Sequence, residues 1–231
     1  MNDDLYLVAG ARPWNREVFD RRIRNLPGRW ELIRDRDALT PERVAALGPR
    51  YLFFLHWSWK VPKAITDAYE CVNFHMTDLP YGRGGSPLQN LIARGHRSTT
   101  LTALRMTDEI DAGPVYLRRP LSLEGLAEEI FLRVSTVAAE MIEQIIRERP
   151  EPHPQAGDPV VFQRRRPPQS EIAETATLDE LFDFLRMLDA EGYPRAFLVH
   201  RGWRYEFRGP ARRSGRIDAQ VTITRVEDAD P

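Results

Sequence analysis

Short apolar runs alternate with helix-like stretches through the first third of the chain, and this alternation restricts the fold more than any other feature. Leu5–Ala9 and residues 30–33, 51–55 and 69–74 are each four to six residues long and rich in aliphatic and aromatic side chains, as buried strands are. Between them, residues 12–25 and 41–47 read as helices, the second started by Thr40 as its cap. Strands separated by helices pair in parallel, so an α/β fold with a mostly parallel, Rossmann-like sheet is expected. The first turn, Val8-Ala9-Gly10-Ala11-Arg12, lacks the spaced glycines of a dinucleotide site, so nicotinamide binding is not indicated.

Further along, residues 87–94 fit a helix, 100–106 and 115–121 fit strands, and 125–148 fit a long helix. Its apolar positions Leu126, Ile130, Val134, Val137, Met141 and Ile145 recur every three or four residues, one stripe facing a sheet. Six prolines between 150 and 168 forbid a continuing helix and read as a linker. After it, Leu178, Leu181, Phe182, Leu185 and Leu188 form a helical stripe, and Ile217, Ala219, Val221 and Ile223 alternate like a half-buried strand. The expected organisation is a catalytic domain over 1–149, a proline-rich linker over 150–169, and a small C-terminal α+β subdomain over 170–231.

Chemistry concentrates between residues 72 and 87. Asn73 and His75 stand two apart at the end of a strand, so they project from one face and can converge on one atom. An amide can donate to a developing oxyanion, and an imidazole exchanges a proton near neutral pH. The loop that follows holds Pro80, Gly82, Arg83, Gly84 and Gly85, with few side chains to keep a ligand from its backbone. Downstream, residues 106–113 form a polar turn whose Asp111 could orient His75. Asp78 offers no metal pair with His75, because no third ligand lies at a metal-site spacing; no metal is expected.

The order Asn73-x-His75-x-Thr77-x-Leu79-Pro80-x-x-Arg83-Gly84-x-x-Pro87, followed by Ile110-Asp111-Ala112-Gly113, resembles the signature of the 10-formyltetrahydrofolate-dependent formyltransferases over about residues 51–146. The resemblance implies Asn73, His75 and Asp111 as catalytic trio and 10-formyltetrahydrofolate as co-substrate. It implies folate contacts from Phe54, Trp57, Trp59, Asp108, Glu109 and Ile110, and acceptor contacts from Arg12, Thr77, Arg83, Gly84 and Gly85. Within the family, the wording around residues 54–62, 74–78, 84–92 and 186–194 is similar to the sugar-nucleotide N-formyltransferase of pseudaminic acid biosynthesis. Thr77-Asp78-Leu79-Pro80 stands where the transfer-RNA branch usually has Ser-Leu-Leu-Pro. The implied acceptor is therefore the amine of a nucleotide sugar, UDP-4-amino-4,6-dideoxy-N-acetyl-L-altrosamine. Other amines, a dTDP- or GDP-linked amino sugar or an aminoacyl group, remain open, as do a formyltetrahydrofolate hydrolase and a non-catalytic folate-binding module.

Composition sets limits on partners. A net charge of −1 over 231 residues gives no reason to expect nucleic acid or an acidic membrane surface. One cysteine makes no internal disulfide, which suits a reducing compartment. Met-Asn-Asp-Asp shows no leader pattern and no apolar run approaches the ~20 residues of a membrane helix, so a cytoplasmic protein is expected, with a homodimer allowed for.

Overall fold

The structure, a computed structural model, describes residues 3–175 and 177–226. The leader reading at Met1 and Asn2 and the last five residues of the subdomain expected over 170–231 lie outside them. The chain divides into two compact units. The first takes in residues up to 84, 99–121 and 131–161; the second takes in 85–98, 122–130 and the residues from 162 on.

The first unit is built on a six-stranded sheet. Its strands are β1 (Leu5–Ala9), β2 (Arg29–Ile33), β3 (Tyr51–Phe54), β4 (Glu70–His75), β6 (Ser98–Arg105) and β7 (Val115–Ser122), in the order β2-β1-β3-β4-β6-β7. β1 pairs in parallel with β2 and β3, and β3 with β4, whereas β4 and β6 are antiparallel. This is the α/β class expected from the alternation. The register aligns Ile33, Ala9, Phe54, Asn73 and Leu104 in one row across the sheet.

One face of that row is apolar. Leu7, Ala9, Ile33, Leu52, Phe54 and Cys71 form a buried cluster with Leu39, Val44, Val61 and Ile65. Val44 comes from α2 (Pro41–Leu47) and Ile65 from α3 (Lys63–Ala68), a short helix whose sequence carries no cap signal. α2 begins as expected, with Thr40 Oγ1 accepting from Arg43 N at 3.2 Å, and ends at Gly48 in a left-handed conformation, φ 58°. Another layer joins α1 (Pro13–Arg21) to α5 (Ala127–Glu148): Trp14 stacks on Phe131 with ring centroids 5.2 Å apart, and Asn15 donates to Ser135 Oγ at 3.0 Å. The α5 stripe is buried at Ile130, Val134, Met141 and Ile145, as its period predicts.

Several details differ from expectation. The helix expected over 12–25 stops at Arg21, and Ile23–Asn25 tightens into a 3-10 turn before Pro27, which cannot continue it. The proline-dense stretch does more than connect. His153 exchanges two backbone bonds with Val115, at 2.7 and 2.9 Å, and Val160 N donates to Pro80 O at 3.1 Å. β5 (Tyr81–Gly84) and β8 (Val160–Phe162) are strands too short and glycine- or proline-flanked to show a period.

The second unit contains α4 (Pro87–Ala93), α6 (Leu178–Arg186) and a three-stranded sheet of β9 (Phe197–His200), β10 (Trp203–Arg213) and β11 (Arg216–Arg225), in the order β11-β10-β9 and antiparallel throughout. Arg186 is its buried hub, donating through Nη1 to Leu123 O at 2.6 Å and Gly125 O at 2.9 Å while Nε meets Asp183 at 2.6 Å. β11 forms as expected, but its burial does not alternate: Val221 and Ile223 are 46% and 54% exposed on an edge strand. Among the described residues, no helix is long and apolar enough to cross a membrane.

Candidate active site

Strand period carries the sheet's apolar face directly into polar chemistry. Cys71, Asn73 and His75 project from the same side of β4, so the buried cluster that ends in Cys71 gives way to an amide and then an imidazole at the strand's C-terminal end. Burial raises the Cys71 thiol to about 12, which leaves it a packing group rather than a nucleophile.

Asp111 reaches this edge from the turn between β6 and β7. Its Oδ1 accepts from Asn73 Nδ2 at 3.2 Å, and its Oδ2 accepts from Gly84 N at 3.0 Å and lies 3.5 Å from His75 Nδ1. His75 Nε2 is 2.8 Å from Gly82 O. Both ring nitrogens therefore face oxygen acceptors, and both can donate at once only when the ring carries two protons. His75 and Asp111 expose 7% and 9% of their side chains, so the arrangement is screened yet reachable. The turn is pinned at its base by Met106 N donating to Cys71 O at 2.8 Å and Arg105 N to Pro114 O at 2.8 Å. The structure thus brings the three expected catalytic residues together within hydrogen-bonding range or close to it.

The expected folate contacts divide. Trp57 is half-buried and Trp59 39% exposed, their rings 4.8 Å apart and edge to face. Phe54 is wholly enclosed in the apolar cluster, so it backs Trp57, 6.1 Å away, and cannot itself touch a ligand. Asp108 is ion-paired to Lys63 at 2.9 Å and Glu109 to Arg83 at 3.2 Å, while Ile110 stands 74% exposed next to Asp111.

The expected acceptor contacts divide as well. Thr77 is fully buried, with its carbonyl bonded to Thr102 Oγ1 at 2.7 Å, and cannot meet substrate. Arg83 spends its guanidinium on Gln155 and Glu109, which anchors its own loop. Gly84 supplies its amide to Asp111 instead of to a ligand. At Gly85 a Cβ would lie 2.4 Å from Arg164 Cβ, so this glycine admits a close chain approach and leaves no room for substrate there. Arg12 lines a cleft of about 380 Å3 with Gly10, Arg16 and Arg34. A second cleft of about 500 Å3 has Trp59, Arg34 and Arg43 in its walls. Neither cleft is lined by the trio.

Two residues escaped the sequence. His56 follows β3 with φ 49°, and its Nδ1 accepts from Trp14 Nε1 at 3.1 Å, with Asn15 Nδ2 at 3.2 Å. Two donors on Nδ1 place the ring proton on Nε2. Burial, then the nearby Arg12, lowers its pKa to about 3, so the ring stays neutral. A lone histidine after a strand carries no sequence signal for this. Gln155 is the other, hidden in a proline-dense stretch. Among the described residues, no group of His, Cys, Asp or Glu could hold a metal ion.

The family description "Methionyl-tRNA formyltransferase, C-terminal domain" matches residues 167–224. A solved structure, the methionyl-tRNA formyltransferase from Clostridium thermocellum, superposes with a TM-score of 0.93 at 42% identity, covering 96% of this chain and 99% of that one. The chain belongs to the formyltransferase family. The methionyl-tRNA formyltransferase of Gluconobacter oxydans is 31% identical over 134 residues, 56% of this chain and 44% of that protein. The chain thus spans less than half the length of that curated relative. HypX from Aquifex aeolicus, solved with tetrahydrofolic acid, shares the fold at a TM-score of 0.70 and 18% identity, over 89% of this chain and 37% of that one. These relatives are methionyl-tRNA formyltransferases, so the comparisons support formyl transfer in general and do not bear out the narrower likeness to pseudaminic acid biosynthesis or the expectation of no nucleic-acid-linked partner.

Proposed function

We propose that this protein moves a formyl group from 10-formyltetrahydrofolate to a primary amine, with Asn73, His75 and Asp111 at the reacting centre. The observation that carries this reading is the convergence of an amide, an imidazole and a carboxylate on one strand end, at 3.2 and 3.5 Å.

The chemistry sets three tasks. The attacking amine must lose a proton, charge gathering on the formyl oxygen must be stabilised, and the departing folate nitrogen must gain a proton. Asn73 uses one Nδ2 hydrogen on Asp111, which leaves the other for the formyl oxygen. The imidazole of His75 lies 3.5 Å from Asp111, loose enough to turn one nitrogen toward the reacting atoms and to carry the proton between nucleophile and leaving group. Asp111 stabilises the positive charge that forms on the ring and holds the ring's orientation. Ile110, 74% exposed beside Asp111, offers an apolar surface for a flat ring system, which fits the folate end.

For the acceptor, we propose the α-amine of an aminoacyl ester on transfer RNA. Its support is the likeness to the Clostridium protein through nearly the full length of both chains and the C-terminal match over residues 167–224. A nucleotide-linked amino sugar is the second reading. Residues 171–231 contain twelve Asp and Glu against nine Arg, a balance of −3, where a grip on a phosphate backbone needs excess positive charge. Incubation with 10-formyltetrahydrofolate and, separately, methionyl initiator transfer RNA and UDP- and dTDP-linked 4-amino sugars, read by mass spectrometry, decides. Formyl-methionyl product establishes the first reading; exclusive formylation of a sugar amine establishes the second; folate consumed without any amine overturns both.

A further inference from the structure

We infer that Gln155 is a positioning residue for Asp111, its side-chain amide clamping the turn that carries the carboxylate to the loop that carries Arg83. The inference rests on the reading of Asp111 as a member of the reacting centre. Gln155 Nε2 donates to Asp111 O at 2.8 Å and to Gly113 O at 2.9 Å. Its Oε1 accepts from Arg83 Nε at 3.1 Å and Arg83 Nη2 at 2.9 Å. A primary amide has two N–H donors and one oxygen with two lone pairs, so every capacity of this side chain is used.

The clamp is itself held. Two residues earlier His153 exchanges backbone bonds with Val115, and five residues later Val160 N donates to Pro80 O. Asp111 needs such a hold, because its φ of 53° is a left-handed conformation that a residue with a Cβ adopts at a cost. The two carbonyls taken by Gln155 flank Ala112, so losing them frees the turn to relax toward negative φ. That relaxation draws the Asp111 carboxylate away from Gly84 N, Asn73 and His75. Since misplacing a reacting group by about 1 Å can cost ~10²-fold in rate, the effect belongs in kcat.

The test uses the full chain and two variants. Gln155→Met keeps the length and removes all four hydrogen bonds. Gln155→Glu keeps an acceptor for Arg83 but turns a carboxylate toward the two carbonyl oxygens. Amide hydrogen exchange at Gly84, whose N–H is bonded to Asp111 Oδ2, reports the carboxylate without any acceptor substrate. We expect this amide to exchange about tenfold faster or more in both variants, while the Gly10 amide, bonded to Ile33 O, keeps its protection. With whichever acceptor the wild type formylates, kcat falls ~10²-fold and KM for 10-formyltetrahydrofolate is unchanged. Wild-type exchange at Gly84 in Gln155→Met overturns the inference. So does a Gln155→Glu enzyme with full kcat beside an impaired Gln155→Met, since that assigns the effect to Arg83. If the wild type formylates no acceptor, the functional reading fails, and the exchange measurement still decides the clamp.

Discussion

At the residue scale, the trio should behave as one unit. Replacing His75 with Asn removes the proton carrier, and general acid–base catalysis by a positioned side chain is worth ~10²–10⁴ in rate. We expect formyl transfer to fall by at least that factor with an unchanged melting curve, since His75 lies at a strand end outside the apolar cluster. His56 governs a different property. Its pKa is near 3 in the folded protein against an ordinary 6.5. The unfolded chain therefore takes up the proton first as pH falls. The stability tied to His56 is complete above about pH 6.5 and is lost toward pH 3, at up to about 1.4 kcal/mol per pH unit. Urea midpoints at pH 7 and 4.5 should separate more in the wild type than in His56→Gln, which still accepts from Trp14 but does not titrate; equal separations would contradict this. The convergence of Asn73, His75 and Asp111 was legible because Asn73 and His75 are spaced for one strand face and Asp111 lies in a polar turn between two strand-like runs. His56 and Gln155 were not, because their importance comes from partners 41 and more residues away in His56–Asn15 and 44 residues away in Gln155–Asp111.

At the element scale, the turn between β6 and β7 is the exacting piece. A Cβ at Gly113 would stand 1.8 Å from Arg105 O, a backbone atom that cannot swing aside. Gly113→Ala must push the turn off β6, and overpacking of this kind costs about 1–3 kcal/mol. For a chain of this size that lowers the melting temperature by roughly 2–4 °C per kcal/mol, and activity should fall with it because Asp111 moves. A variant with wild-type melting and turnover would show that the turn has slack that the geometry does not indicate. Long periodic elements were readable: α5 and the parallel strands declare themselves through repeated apolar positions. β5 and β8, four and three residues long, have no period to read and exist through tertiary pairing. Phe54 and Thr77 show the same limit at the site, since a motif places a residue in sequence but does not say whether its side chain faces the ligand or the core.

At the scale of the whole molecule, the first unit holds Asn73, His75 and Asp111, and the second unit bears the C-terminal family match. The family and the α/β class were legible in residue order, whereas the acceptor was not, because the chemistry proposed for Asn73, His75 and Asp111 is indifferent to what carries the amine. The exposed apolar side of β11 likewise had no sequence signature distinct from a half-buried strand. Formyl movement from folate to an amine at this site is followed by supplying 10-formyltetrahydrofolate with an isotopically labelled formyl group to wild type, His75→Asn and Asp111→Asn. Wild type should deliver the label to the acceptor amine in step with tetrahydrofolate release, and both variants should deliver it at least ~10²-fold more slowly while still folded. Label appearing only as free formate, or transfer at wild-type rates in either variant, would contradict formyl transfer at this site.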